Sequence, residues 1–161
     1  MNEKQKIVAV IGGGECSKET EKLAYEVGKR LAEFNFTLVC GGLGGVMEFA
    51  SKGAFENGGT TIGILPSEDV KTANPYIKIP IATGMGIGRN IVIIRTAQIV
   101  VAIDGKFGTL SEIAFALQLG KPVFSLGSWE IDPKIKQVED VDELMNEIGK
   151  LGSGNSFQQF F

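Results

Sequence analysis

The chain has 161 residues and a mass of 17.2 kDa, a size typical of one domain with its own buried core. A net charge of −3 and a pI near 5.1 argue against a nucleic-acid partner, which would require a basic surface. The sequence contains no histidine, which excludes Ser-His-Asp and Cys-His nucleophile systems and histidine-ligated zinc.

Hydrophobic periodicity predicts strands that alternate with helices along the chain. In chain order these are strand 6–11, helix 17–34, strand 36–40, helix 46–56, strand 60–65, strand 77–83, helix 89–97, strand 99–103, helix 109–119, strand 122–126 and helix 140–151. Asn35 is a candidate left-handed residue after the first helix, and Asp140 with Glu143 forms a candidate capping box. This alternation predicts an α/β fold: a single-domain, doubly wound, mostly parallel sheet of Rossmann-like type.

We expect one nucleotide-binding domain over residues 1–151 and a disordered Gly/Ser-rich tail over 152–161. The longest apolar stretch, 91–103, is interrupted by Arg95 and Gln98 and is shorter than the ~20 residues that a membrane span needs. No secretory signal is recognisable at the start. We therefore expect a cytoplasmic protein without a membrane partner, with Cys16 and Cys40 as reduced, buried thiols.

Glycine is roughly twice as frequent as usual, at 22 residues, and much of it falls in four turns. The turns are Gly12-Gly13-Gly14, Gly41-Gly42-Leu43-Gly44-Gly45, Gly84-Met85-Gly86-Ile87-Gly88-Arg89-Asn90 and Asp104-Gly105-Lys106-Phe107-Gly108-Thr109. In a parallel doubly wound sheet all strand-to-helix turns lie at the carboxyl edge, where ligands bind. Backbone N–H groups at helix starts attract anions, so this edge is predicted to hold a phosphate-bearing ligand. The alternative is that the glycines merely close tight turns.

A dinucleotide is disfavoured at this edge. The first turn reads G-x-G-x-x-S, a partial fingerprint that also requires an acidic residue at the end of the second strand. That strand ends Val39-Cys40-Gly41-Gly42, without a carboxylate. A single mononucleotide-like ligand fits better.

Arg89 and Glu112 are the two candidate catalytic residues. Arg89 follows a glycine at a helix start, where a cation opposes the helix dipole, and its guanidinium could grip a phosphate or carboxylate in bidentate fashion. Glu112 has two interpretations that the spacing leaves open. With Thr109 it reads T-x-x-E, a capping box that needs no ligand, and without histidine it is also the obvious general base.

The motifs Gly41-Gly42-x-Gly44-Gly45-x-Met47, Gly88-Arg89-Asn90 and Gly105-x-x-Gly108-Thr109-x-x-Glu112 together resemble one known group. It is the Rossmann-like superfamily that contains the Lonely-Guy-type cytokinin riboside monophosphate phosphoribohydrolases and the molybdenum cofactor carrier proteins. Some members carry the label "possible lysine decarboxylase", but the chain has no recognisable pyridoxal-lysine context. The resemblance covers roughly residues 6–126.

In the hydrolase branch the resemblance implies that Arg89 and Glu112 are catalytic and that Gly105, Gly108 and Thr109 bind a 5′-phosphate. Glu112 would then stabilise an oxocarbenium-like transition state or orient water during N-glycosidic hydrolysis. The chain departs from that branch because Asp104 and Lys106 replace a proline and a glycine. Asn90 replaces a lysine, as in the carrier branch. Asp104 is unfavourable for phosphate unless Lys106 offsets its charge.

Two functions therefore remain open, and whether the chain is an enzyme is undecided. It binds a phosphorylated nucleotide-like ligand and hydrolyses a nucleoside 5′-monophosphate, or it is a non-catalytic carrier or sensor of molybdenum cofactor or a related pterin or nucleotide. A ligand-free dimerisation module is a third class. No cofactor is required and no metal site is predicted. The predicted ligand-binding residues, besides Arg89 and Glu112, are Gly12, Gly13, Gly14, Gly42, Gly44, Gly88, Asn90, Gly105, Lys106, Gly108 and Thr109.

The helix predicted over 89–97 is apolar almost all round, since it contains Ile91, Val92, Ile93 and Ile94. One sheet face cannot cover all of these side chains, so we expect a homodimer or a higher even homo-oligomer. Trp129 follows the last predicted strand and is expected to be a core or interface aromatic.

Overall fold

The computed structural model describes residues 6–153 and confirms the predicted α/β fold. Its elements, in chain order, are β1 (Ile7–Gly12), α1 (Lys18–Glu33), β2 (Thr37–Cys40), α2 (Val46–Glu56), β3 (Thr61–Leu65), β4 (Ile79–Ala82), α3 (Asn90–Thr96), β5 (Ile99–Ile103), α4 (Phe107–Gln118), β6 (Val123–Leu126), β7 (Ile135–Gln137) and α5 (Val141–Ser153). Short 3₁₀ turns occur at Val70–Thr72 and Gly86–Arg89. The predicted 152–161 tail lies largely outside the described residues.

The strands form one parallel sheet within the described residues, in the order β4-β3-β2-β1-β5-β6-β7. The chain first builds outward from β1 to β4 and then returns to place β5 against the other side of β1, with Val8 opposite Ile99 and Gly12 opposite Ile103. The order therefore reverses between β1 and β5. This switch point opens a crevice at the carboxyl edge, the usual ligand position in such sheets.

Helices cover both faces of the sheet. Successive strand residues point to opposite sides, so each strand buries alternate residues under the helices of each face. Val8 and Val10 pack in a core with α1, α2 and α5, while Ala9 and Ile11 pack in a second core with α3 and α4. The strands β1, β2, β5 and β6 are accordingly buried along almost their whole length. None of the helices in residues 6–153 is long and apolar enough to cross a membrane.

Most element boundaries agree with prediction to within two residues, and the capping chemistry agrees after α1 and at the start of α5. Asn35 adopts a φ of 59°, as expected of a left-handed residue. The Asp140 carboxylate accepts a hydrogen bond from the Glu143 N–H at 2.8 Å, and the Glu143 carboxylate accepts one from the Glu139 N–H at 2.7 Å. The edge strand β7 escaped prediction, since three residues between polar turns carry no readable period.

The start of α4 corrects the capping-box interpretation of Glu112. The sequence predicts a first residue at Thr109, but the helix begins at Phe107 with Lys106 as its N-cap and no side-chain cap. Asp104 and Gly105 adopt positive φ values of 48° and 107°, which turn the chain sharply after β5 and allow the helix to begin sooner. Thr109 is thus the third helical residue, and Glu112 lies too far along the helix to cap it.

The helix predicted over 89–97 is divided at its start. Its first residue, Arg89, ends the 3₁₀ turn, and α3 begins at Asn90. Ile93 and Ile94 are fully buried in the second core, whereas Ile91 and Val92 are partly exposed. The oligomeric state expected from this helix stays a prediction.

Candidate functional site

The first and second glycine turns touch each other at the carboxyl edge. The N–H of Val46 donates a hydrogen bond to the Gly13 carbonyl at 3.0 Å. Gly45 lies against the same carbonyl so closely that a Cβ there would fall 2.3 Å from the oxygen. The turn after β1 and the turn after β2 therefore form one continuous backbone surface.

The third turn joins this surface through the side chains of Arg89 and Asn90. Arg89 Nη2 donates to the Gly41 carbonyl at 3.4 Å, and Asn90 Nδ2 donates to Ser111 Oγ on α4 at 3.1 Å. The fourth turn closes the set, since Gly105 Cα lies 3.9 Å from the position of a Cβ at Gly13. All four turns thus meet where the sequence analysis placed them.

The glycines of these turns fall into two groups. Gly12 and Gly105 are required by packing: a Cβ on Gly12 would lie 2.6 Å from the Ile103 carbonyl, and one on Gly105 would lie 2.3 Å from Thr109 Oγ1. Gly14, Gly88 and Gly108 are exposed, and a Cβ there would meet nothing within 4 Å. The open group leaves backbone accessible to a ligand, whereas the packed group is explained without one.

The helix starts at this edge differ in their capacity to bind an anion. The start of α1 is satisfied by its own cap, because Ser17 Oγ accepts the Thr20 N–H at 3.2 Å. At α4 no side chain caps the helix, and within residues 6–153 the N–H groups of Phe107, Gly108 and Thr109 donate to no protein acceptor. Lys106 is exposed beside them. Three free donors, the helix dipole and a cation favour an anion at α4.

Arg89 is buried, and most of its guanidinium N–H groups donate hydrogen bonds to acceptors within the protein. Nε donates to the Ile64 carbonyl at 2.8 Å, and Nη1 donates to Asn90 Oδ1. With the bond to Gly41, three of the five N–H groups of a guanidinium are engaged. Arg89 therefore ties β2, β3 and α3 together, and burial lowers its pKa while the charge of Glu112 raises it.

Glu112 is 7% exposed, and within the described part of the chain its carboxylate makes no hydrogen bond or ion pair; its oxygens keep a little solvent contact, since no fully buried side-chain oxygen there lacks a partner. Burial raises its pKa from 4.5 to about 7, and the positive charge of Arg89 lowers it in part. Desolvation therefore outweighs the attraction to Arg89. A buried, unpaired carboxylate that titrates near neutral pH is typical of a functional site rather than of a helix cap.

Cys40, predicted to be a small buried residue, also belongs to this cluster. Its Sγ accepts the Gly42 N–H at 3.3 Å and lies 3.4 Å from Ser51 Oγ, so it holds the second turn in place. Burial is the largest effect on the Cys40 thiol and raises its pKa. The hydrogen bonds with Ser51 and Gly42 lower this pKa. The charge of Glu112 raises it, and the charge of Arg89 lowers it. Cys40 is thus a buried thiol close to both candidate residues.

Asp104 lines a different depression from the start of α4. This depression has a volume of about 340 Å³ and lies beside the start of α1, lined by Asp104, Glu19 and Glu139 together with apolar side chains. Its three carboxylates repel an anion. The acidic residue that looked unfavourable for phosphate therefore belongs to a surface where no phosphate is expected.

An aromatic pair that was not predicted from the sequence lies beside the start of α4. Phe107 is 79% exposed, and its ring stacks on Trp129, with centroids 6.2 Å apart and planes at 26°. Trp129 is half-buried and also packs against the second core. The signal in the sequence was an aromatic residue between Lys106 and Gly108 in a glycine-rich turn.

Comparisons with known proteins agree with this architecture. A model of the SLOG cluster4 family matches residues 5–152. An uncharacterized protein of Archaeoglobus fulgidus is 42% identical over 139 residues, which cover 86% of this chain and 91% of that protein.

Two solved structures are similar over almost their whole length. The molybdenum cofactor binding protein of the phototrophic bacterium Rippkaea orientalis is 31% identical with a TM-score of 0.88, covering 93% of this chain and 99% of that one. The Moco carrier protein of Chlamydomonas reinhardtii is 33% identical with a TM-score of 0.84, at the same coverage. These matches confirm the superfamily that the glycine motifs predicted.

Proposed function

The chain belongs to the SLOG cluster4 family, and on that premise we propose that it is a carrier of molybdenum cofactor or of a related phosphorylated pterin or nucleotide. The carrier function, kept as the alternative in the sequence analysis, is favoured by the likeness to two proteins that bind or carry this cofactor. The proposed cargo is a phosphorylated small molecule, held in the cytoplasm by a homo-oligomeric protein.

The observation that supports this function most directly is the uncapped start of α4. The N–H groups of Phe107, Gly108 and Thr109 have no acceptor in the described part of the protein, and Lys106 adds a positive charge. A phosphate there would accept up to three hydrogen bonds and neutralise the helix dipole. The open glycines Gly14 and Gly108 leave room for the rest of the ligand to lie over the edge.

Arg89 and Glu112 fit the pterin ring of such a cargo. Glu112 and Arg89 provide a buried carboxylate and a guanidinium with two N–H groups unengaged in the described structure. A pterin carries both amine donors and carbonyl acceptors on one edge, and such a pair could hold them. These residues would then bind the ring and catalyse nothing.

Hydrolysis of a nucleoside 5′-monophosphate is the second candidate function, and the protonation of Glu112 favours it. A carboxyl group with a pKa of about 7 is present in both forms at neutral pH, so it can donate or accept a proton. In that case Glu112 would act on the N-glycosidic bond while α4 holds the 5′-phosphate.

Substitution of Gly108 by Asp tests the anion site. A Cβ at this position meets nothing within 4 Å, and a carboxylate at a helix start stabilises the helix, so the fold is expected to survive. The same carboxylate would occupy the free N–H groups and repel phosphate. We expect binding of a phosphorylated pterin and of AMP, measured by isothermal titration calorimetry, to weaken about tenfold to a hundredfold.

Gly108→Ala is the matched control, because it adds the Cβ without the charge. It is expected to bind within about threefold of the unsubstituted protein, a difference below 1 kcal/mol. Equal binding by Gly108→Asp and Gly108→Ala would show that no anion lies at the start of α4 and would contradict the proposed function.

Release of free base distinguishes the two candidate functions. The protein is incubated with AMP, adenine is quantified by chromatography, and the small molecules that copurify are identified by mass spectrometry. A carrier binds the phosphorylated pterin and releases no adenine. The hydrolase would be established instead if adenine were released and Glu112→Gln abolished this release. Glu15→Gln, at an exposed position, should still release adenine in that case.

A further inference from the structure

An exposed aromatic pair stands directly beside the proposed phosphate position. Phe107 is the first residue of α4 and is 79% exposed, although burial of a phenyl ring ordinarily stabilises the folded protein. One of the three free N–H groups at the start of α4 belongs to Phe107 itself. The ring and the anion site are therefore parts of the same residue.

The ring is held in place rather than left to move in solvent. Trp129 stacks on it at a centroid distance of 6.2 Å, and the indole Nε1 donates to the Lys106 carbonyl at 3.1 Å. The same carbonyl accepts the N–H of Leu110 in the first turn of α4. Trp129 is thus fixed to the N-cap residue of the helix, and it supports Phe107 from one side.

General helix geometry directs the Phe107 side chain toward the proposed phosphate position. In an α-helix each Cα–Cβ bond tilts toward the N-terminus, so the side chain of a first-turn residue leans past the free N–H groups. With Trp129 on one side, the remaining surface of the ring is open. Planar heterocycles stack on such surfaces with about 1–3 kcal/mol per ring.

We propose that the Phe107–Trp129 pair is the platform on which the planar ring of the bound ligand stacks, while the start of α4 holds its phosphate. This inference rests on the proposed function and adds to it the residues that recognise the ring. The ligand class is a phosphate ester that carries a flat heterocycle, and Phe107 selects for the ring independently of the phosphate.

Trp129 makes the experiment direct, because it is the only tryptophan in the sequence. AMP and a phosphorylated pterin serve as ring-bearing probes, and ribose 5-phosphate serves as the ring-free probe. We expect the ring-bearing probes to change Trp129 fluorescence on binding and ribose 5-phosphate to leave it unchanged. Calorimetry with Phe107→Leu is expected to show about tenfold weaker binding of the ring-bearing probe and ribose 5-phosphate affinity within about twofold.

Phe115→Leu is the matched control, since it makes the same change on the same helix at another partly exposed phenylalanine. It is expected to alter neither affinity. Equal weakening of both probes by Phe107→Leu, or no weakening of either, would overturn the platform while the anion site stands. If Phe107 served self-association instead, Phe107→Leu would have a lower sedimentation coefficient and an unchanged ratio of the two affinities. This result would also overturn the platform. If the unsubstituted protein bound none of the three probes, the proposed function would fail first.

Discussion

Gly45→Ala is expected to lower the free energy of unfolding by about 4 kcal/mol, the sum of two costs. Gly45 has φ 61° and ψ −132°, a conformation that residues with a Cβ hardly adopt, at a strain of about 1–3 kcal/mol. The added Cβ would also fall 2.3 Å from the Gly13 carbonyl and 2.5 Å from the Gly14 carbonyl carbon. Backbone cannot yield as a side chain can, so the first two turns would have to separate.

Urea denaturation followed by circular dichroism measures this loss. Gly58→Ala separates the two contributions, because Gly58 has a φ of 78° and a Cβ there would meet nothing within 4 Å. It is expected to lose only about 1–2 kcal/mol, the cost of the left-handed backbone. Equal losses in the two variants would mean that the first and second turns do not touch. The conclusion that they form one continuous backbone surface would then be wrong.

Glu112→Gln is expected to stabilise the protein by about 3 kcal/mol at pH 8. Burial raises the pKa of Glu112 from 4.5 to about 7, and each pKa unit corresponds to about 1.4 kcal/mol between the two protonation states. Above pH 7 the folded protein carries a buried carboxylate that the unfolded chain exposes to water. Glutamine has the same shape and no charge, so the penalty disappears.

The sign of the pH dependence follows from proton linkage. Between pH 4.5 and about 7 the folded state holds a proton on Glu112 that the unfolded state has lost, so this residue makes stability fall as pH rises. The penalty is absent below pH 4.5 and complete above pH 7. Unfolding free energies of the two proteins should therefore coincide near pH 4, diverge between pH 4.5 and about 7, and differ by a nearly constant amount up to pH 8.

Glu15→Gln is the control for the Glu112 experiment, because it removes an exposed carboxylate from the neighbouring first turn. Its stability is expected to follow that of the unsubstituted protein within about 0.5 kcal/mol at every pH. A constant difference between Glu112→Gln and the unsubstituted protein would show that the carboxyl group titrates normally. The inference that Glu112 is a functional residue rather than a structural one would then lose its main support.

The Glu112 result also bears on how stability and function are related in this fold. An unpaired buried carboxylate is costly, and a glutamine in its place would be more stable. The presence of the acid at the proposed ligand-binding edge is therefore most simply explained by contact with a ligand, in the carrier and hydrolase functions alike. The stabilised variant is accordingly expected to bind or turn over its ligand less well.

The sequence by itself determined the alternation of strands and helices, the parallel sheet and the position of the four turns. Apolar runs such as Ile99–Ile103 and amphipathic helices such as Lys18–Glu33 are local patterns, and right-handed crossovers then place every glycine turn at one edge. Chemistry confined to neighbouring residues, as at Asn35 and at Asp140 with Glu143, was readable for the same reason.

Only the tertiary structure decided the surroundings of Arg89 and Glu112 at that edge. The T-x-x-E motif is compatible with a cap and with a base, and the cap is excluded only by the positive φ values of Asp104 and Gly105, which start α4 at Phe107. Arg89 finds its acceptors on Gly41 and Ile64, many residues away in sequence. Burial and long-range hydrogen bonds arise from packing between elements, so no local pattern records them.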